Sequence, residues 1–137
     1  MSKRLLVWID GASRGNPGPA GIGVHIEDED GNVLKDISEY LGDDLTNNQA
    51  EYHALVKALK ECKTLKADEL EVRSDSQLLV RQMDGRYEVR SDNIRDLYTE
   101  ASGLESSIDG VTYTHVDRES NIRADELANE ALDAEEE

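Results

Sequence analysis

The chain has 137 residues, enough for one hydrophobic core without disulfides or structural metals as staples. Thirty-one acidic against fifteen basic residues give a formal net charge of -16, a surface that repels phosphates at ordinary salt and speaks against a basic polyanion-binding module. One cysteine, Cys62, excludes an internal disulfide and suits a reducing interior, and the longest apolar run, Leu5 to Ile9, is far too short to span a membrane. Met1-Ser2-Lys3-Arg4 imitates the basic start of a signal peptide, but the apolar run behind it is too brief. A cytoplasmic protein is expected, with residues 1–132 as one domain and 133–137 as an acidic tail. At 1 M salt the Debye length falls to about 3 Å, so the charge also suits a salt-adapted organism.

Arg4 to Asp10 reads as a buried strand that runs straight into a carboxylate, Asp10. Open α/β sheets place ligands at such rims, although an Asp in a strand-ending turn is also common. Gly11 to Gly21 reads as a loop stiffened by Pro17 and Pro19; it lacks the Gly-Lys-Ser/Thr ending of a phosphate loop. Its bare backbone N–H groups offer close approach to a ligand, with a plain hairpin connection as the alternative. Ile22 to Ile26 and Val33 to Leu41 read as antiparallel strands joined by the polar turn Glu27 to Asn32.

Thr46 followed by Gln49 fits a capping box that opens a helix. From Glu51, steps of three and four residues reach Ala54, Leu55, Ala58, Leu59 and Cys62, an apolar stripe with a carboxylate near its middle. An isolated ionised carboxylate there is costly to desolvate, which leaves a metal ion, a basic partner, or an escape to water at the sheet edge. Cys62 itself reads as a packed small hydrophobe. Glu69 to Ser74 forms a fourth strand ending at Asp75, which also suits an N-cap for the short helix that Ser76-Gln77 opens. A further helix starts at Asp92-Asn93, and Val111 to Val116 is the fifth strand. Asp117 to Asn121 is a loop, and a last helix runs from Ile122 to Asp133 with Asp125 on the shoulder of its apolar face. Alone, Asp125 reads as a complement to the helix dipole. The order β-β-β-α-β-α-α-β-α predicts a five-stranded mixed sheet, three antiparallel strands then parallel ones, flanked by helices.

Asp10, Glu51, Asp75 and Asp125 thus break their local patterns. Converging at one rim they would repel one another and raise their pKa values unless cations neutralise them. Hard oxygen donors suit Mg²⁺ or Mn²⁺, and the absence of a His or Cys cluster speaks against zinc. Two such ions about 4 Å apart activate water and stabilise the leaving oxygen of a phosphodiester.

In Ile9-Asp10-Gly11-Ala12-Ser13, Gly15-Asn16-Pro17-Gly18-Pro19, Thr46-Asn47-Asn48-Gln49-Ala50-Glu51, Ser74-Asp75-Ser76-Gln77 and Ala124-Asp125-Glu126-Leu127-Ala128 the chain resembles the type 1 ribonuclease H family. The likeness covers Lys3 to Leu132. It implies a ribonuclease H-like fold and endonucleolytic hydrolysis of the RNA strand of an RNA–DNA hybrid, leaving 3′-hydroxyl and 5′-phosphate ends. It implies two metal ions: Asp10 on both, Glu51 and Asp75 on one, Asp125 on the other. It also implies that Glu51 and the backbone of Gly11, Ala12 and Ser13 read ribose 2′-hydroxyls. Asn16, Asn47 and Gln77 would meet bases or sugars in the minor groove, and Thr46 a DNA phosphate. The 2′-hydroxyl is what separates RNA from DNA, whereas phosphate contacts only position the duplex.

Two departures stand out. The family's basic, aromatic-bearing protrusion is reduced here to Met83-Asp84-Gly85-Arg86-Tyr87-Glu88-Val89-Arg90, without Trp. The family's mobile loop His is absent from Asp117 to Asn121, which makes Arg118 or Glu119 the candidates to assist product release, while His115 belongs to the strand before it. His25 and His53 are expected as ordinary surface residues. A proofreading-type exonuclease shares the general fold but resembles Asp-x-Glu on the first strand, where Ala12 stands here. A non-catalytic module binding RNA–DNA hybrid or double-stranded RNA is the alternative from another class; it would lack an acid and need a basic surface. An acidic structural protein leaves the motifs as coincidence. A monomer without membrane association is expected.

Overall fold

In the computed structural model, which describes residues 3–136, the early apolar run becomes the central strand β1 (Arg4–Ser13) of a five-stranded sheet. Met1, Ser2 and Glu137 lie outside the described residues, and with them part of the basic start and the last residue of the expected tail. Strands β2 (Gly18–Asp28) and β3 (Val33–Leu45) continue from β1 as an antiparallel meander. On the other side of β1, β4 (Glu69–Ser74) and β5 (Gly110–His115) run parallel to it, giving the order β3-β2-β1-β4-β5. The helices are α1 (Asn47–Thr64), α2 (Gln77–Met83), α3 (Asp92–Glu105) and α4 (Ile122–Glu136), with a single 3-10 turn at Arg118–Ser120. The expected order of elements and the mixed sheet are both present.

Strand alternation divides the sheet into two faces. Leu5, Val7 and Ile9 of β1, Ile22, Val24 and Ile26 of β2, and Leu70 and Val72 of β4 are buried on one face. They form one cluster with Leu55, Leu59 and Cys62 of α1 and with Ile94 and Ala101 of α3. Each such Leu contributes about 1.5–3 kcal/mol by leaving water. The capping box that starts α1 is complete: Gln49 N donates to Thr46 Oγ1 at 3.1 Å and Thr46 N to Gln49 Oε1 at 2.8 Å. On the opposite face α4 lies directly against β2, where Gly21 and Gly23 leave no room for a side chain. A Cβ on Gly23 would stand 2.0 Å from the carbonyl oxygen of Ala124.

Four expectations change. Gly11 to Ser13 and Gly18 to Gly21 are strand rather than loop: Ala12 pairs with Gly21 and Ser13 with Ala20, and Arg14 N closes the connection on Pro19 O at 2.8 Å. Small residues at these positions let the two strands stay paired to their tips. The last helix continues past Asp133 to Glu136, because Asp133 and Glu136 both hold Arg14, at 2.7 and 2.8 Å. His25 is buried, on the face of β2 that carries Gly21 and Gly23, with Nδ1 2.5 Å from Asp36 and Nε2 2.6 Å from Glu27. Its ring centroid lies 5.4 Å from that of Trp8. His53 is half-buried rather than exposed.

Candidate active site: four carboxylates at one sheet rim

Parallel pairing of β1 with β4 ends at Ile9 and Ser74. The next residue on each strand is an aspartate, so adjacent parallel strands bring Asp10 and Asp75 to the same rim. Asp10 is only 5% exposed, while Asp75 is partly open to solvent. The third acid comes from α1. Gly11 allows that helix to run against the strand: a Cβ there would sit 2.2 Å from the carbonyl carbon of Ala50. This contact delivers Glu51, 4% exposed, whose Oε1 accepts the Gly11 N–H at 3.0 Å. Its other oxygen, Oε2, is buried without any hydrogen-bond partner. Asp10, Glu51 and Asp75 each offer an oxygen within 4.8 Å of the other two. Asp125, in the first turn of α4, faces the same cleft of about 580 Å³. Helix α4 is fixed there by Asn121, whose Nδ2 donates to Ile9 O at 2.8 Å.

The electrostatics follow from this crowding. Burial raises the pKa of Asp10, and the neighbouring Glu51 and Asp75 raise it further. Burial also raises Glu51, although the adjacent Asp10 and the hydrogen bond from the Gly11 N–H pull the other way. Asp75 is raised by burial as well, opposed by Arg118 and reinforced by Asp125. Arg118 is the one guanidinium or ammonium among the described residues that line the cleft. Five acids line the cleft, Asp117 besides the four, and against one arginine they leave an excess of negative charge that a divalent cation would neutralise. The orphaned Glu51 Oε2 is an oxygen donor of the kind such a cation takes. No His or Cys joins the triad, so the donor set fits a hard ion.

Of the expected substrate contacts, Gly11, Ala12 and Asn47 line the cleft, as does Arg118. Ser13, Asn16, Thr46, Gln77 and Glu119 do not. Ser13 N donates to Asn47 Oδ1 at 3.1 Å and Asn47 N to Asn16 Oδ1 at 3.1 Å, so these residues knit the β1–β2 connection to the start of α1. Thr46 caps α1, Gln77 opens α2 and Glu119 lies in the 3-10 turn. The N–H groups of Gly11 and Ser13, expected to be bare, are occupied by Glu51 and Asn47. Sequence reasoning passed over Asn121 and Asn129. It also left His115 to its strand, whereas His115 ends β5 and lines the cleft too. Asn129 lies one helical turn after Asp125, a spacing that points to it once Asp125 is chosen.

The chain matches the reverse transcriptase-like family over residues 9–131. It is 42% identical to ribonuclease HI of Halobacterium salinarum over 130 residues, which cover 95% of this chain and 65% of that protein. The crystal structure of RNase H1 from the same archaeon superposes with a TM-score of 0.92, covering 96% of this chain and 98% of that one. LC11-RNase H1, solved in complex with an RNA/DNA hybrid, is 42% identical with a TM-score of 0.91 over 97% of this chain and 99% of that one. On the strength of these matches and the four-carboxylate rim, the chain belongs to the ribonuclease H family, type 1.

Proposed function

We propose that this chain is an endonuclease that hydrolyses the RNA strand of RNA–DNA hybrids. The observation that carries the reading is the close-set triad Asp10, Glu51 and Asp75, the first two buried, with one Glu51 carboxylate oxygen left unpartnered. Sequence likeness to ribonucleases H, and the hybrid held by LC11-RNase H1, support the substrate class.

Asp10, Glu51, Asp75 and Asp125 would hold two divalent cations, Mg²⁺ or Mn²⁺. Bound there, such ions offset charge on the reacting phosphodiester and favour water as nucleophile. The residues themselves set the rest. Asp10 and Glu51 stay in place because the strand rim and the Gly11 N–H fix them before substrate arrives, so little reorganisation is left to the reaction. Water adds at phosphorus and the bond to the ribose 3′-oxygen breaks, leaving 3′-hydroxyl and 5′-phosphate ends. Asn16 and Asn47 spend their side-chain carbonyls on the loop, which leaves their NH₂ groups for acceptors in the minor groove. Gln77 would complete that contact, the backbone of Gly11, Ala12 and Ser13 would meet ribose 2′-hydroxyls through groups other than the occupied Gly11 and Ser13 N–H, and Thr46 would meet a DNA phosphate. Arg118, which lines the cleft with Glu51 and Asp75, or Glu119 in the same 3-10 turn, would assist release of the product phosphate.

The net charge of -16 supports work at high salt, where screening lets an acidic surface meet a polyanion. No described helix is long and apolar enough to cross a membrane. Retention of all four acids speaks against a purely binding module. Strand-labelled duplexes test the reading: RNA–DNA hybrid should be cut internally in its RNA strand alone, with 5′-phosphate products, and DNA duplex left intact. Cleavage of double-stranded RNA at the same rate would widen the substrate class. Equal cutting of the DNA strand would defeat the reading.

A further inference from the structure

Asp10, Glu51 and Asp75 are fixed by strand ends and by the Gly11 N–H, whereas Asp125 reaches the cleft, half-buried, from the first turn of α4. Its carboxylate is nevertheless held. Asn129 Nδ2 donates to Asp125 Oδ1 at 3.3 Å and to its main-chain oxygen at 2.9 Å. The amide of Asn129 is oriented in turn from the other side, where Arg14 Nη2 donates to Asn129 Oδ1 at 3.1 Å. A guanidinium has donors and no acceptor. It can therefore meet only the carbonyl end of Asn129, and the NH₂ end must face Asp125. Arg14 is itself clamped by Asp133 at 2.7 Å and Glu136 at 2.8 Å, in the last turns of the same helix. The β1–β2 connection, Asn129 and α4 thus form one continuous chain of hydrogen bonds ending at a carboxylate of the cleft.

We propose that Asn129, oriented by Arg14, is a positioning residue that presents the Asp125 carboxylate to a divalent cation. The choice of a neutral amide matters. A Lys or Arg at residue 129 would neutralise Asp125 and compete with the cation, whereas an amide holds one oxygen and leaves the charge whole. The second oxygen, Oδ2, is not taken by Asn129 and is left to ligate. Partners of this kind behind a metal-binding carboxylate set ligand orientation, and their loss typically weakens the metal about 10–100-fold. The proposal rests on the reading of the rim as a cation-dependent active site.

Calorimetric titration of the protein with Mn²⁺ without nucleic acid, beside the Mg²⁺ dependence of hybrid cleavage, tests it. Asn129→Ala should weaken Mn²⁺ binding and raise the half-maximal Mg²⁺ concentration about tenfold. KM for hybrid at saturating cation should stay within about twofold, with cleavage recovered there. Arg14→Ala should shift both readouts the same way by a smaller factor, and Arg14→Lys should restore part of the loss by still donating to Asn129 Oδ1. Unchanged cation dependence in Asn129→Ala, or a loss of cleavage that no cation concentration restores, overturns the proposal. Should Asn129→Ala fold poorly, as judged by circular dichroism, the Arg14 pair decides alone, since Arg14 lies on a surface connection. Wild-type protein that binds Mn²⁺ but cuts no hybrid would defeat the nuclease reading and leave this inference standing. Wild-type cleavage with normal variants would defeat only the inference.

Discussion

Asn121 Nδ2 donates to Ile9 O at 2.8 Å and so ties the start of α4 to β1 one residue before Asp10. The two residues are far apart in sequence, yet this bond, with the packing of α4 on Gly21 and Gly23, holds the helix acid Asp125 near the strand acid Asp10. Asn121 is 1% exposed, so the Ile9 carbonyl has no water to replace the amide. Asn121→Ala should destabilise the fold by about 1–3 kcal/mol, the cost of an unsatisfied buried group, and lower cleavage more than that loss explains. Urea unfolding with a parallel activity assay checks both, and unchanged activity in a folded variant would show that α4 is held by its packing on Gly21 and Gly23 alone.

Gly11→Ala should displace α1. The added Cβ falls 2.2 Å from the Ala50 carbonyl carbon and 2.4 Å from Glu51 N, both backbone atoms of the helix that carries Glu51. Overpacking of this kind costs about 1–3 kcal/mol. Thermal unfolding should show that loss, and cleavage should fall because Glu51 moves with its helix. A variant of wild-type stability would mean the helix approaches less closely than described.

The acid cluster makes stability without metal depend on pH in a definite direction. Asp10, Glu51 and Asp75 all have pKa values raised above those of the unfolded chain, burial being the first cause in each. The native state then binds more protons than the unfolded one, so their contribution is fully present below about pH 4 and drains away as pH rises through the native values. In chelator, the unfolding midpoint of wild-type protein should fall relative to Asp10→Asn as pH goes from 5 to 8. Added Mn²⁺ should stabilise the wild type and barely affect Asp10→Asn. Parallel pH curves for the two proteins would contradict the repulsion described.

His25 contributes with the same sign over a different window. Burial opposes its charging, but Asp36 and Glu27 outweigh that and raise its pKa. Its stabilisation is present below about pH 6.5 and is lost as pH climbs through the raised native value. His25→Phe should cost about 1–3 kcal/mol at pH 6, since both flanking carboxylates lose a charged donor, and less at pH 8.5. Histidine titration by NMR together with denaturant curves at both pH values checks this.

Much of this arrangement is legible in the residues themselves. Asp10, Glu51, Asp75 and Asp125 each violate the pattern of their own element, and a carboxylate on the apolar stripe of α1 can be tolerated only if something specific faces it. The capping box at Thr46 and Gln49 is local chemistry, so it appears in sequence and structure alike. What escaped depends on contacts between distant segments. Gly11 to Ser13 carries loop-like residues but is held in the sheet by pairing with Gly21 and Ala20. His25 sits in an alternating strand where a polar face is expected, and only the packing of α4 on that face, with Asp36 arriving from β3, buries it. Asp133 and Glu136 read as solvated tail because Arg14, which they hold, lies at the opposite end of the chain.

The central claim is that the triad Asp10, Glu51 and Asp75 with Asp125 forms a cation-dependent site for cutting RNA in a hybrid. The most direct measurement is cleavage of an RNA–DNA hybrid labelled on its RNA strand, with and without Mg²⁺ or Mn²⁺, by wild-type protein and by Asp10→Asn and Glu51→Gln, at low salt and at molar KCl. Internal RNA cuts that require the cation and drop at least about 10³-fold in both variants are expected, since each substitution removes a charge the reacting centre relies on. Cuts that persist in chelator, or that survive in either variant at wild-type rate, would contradict it.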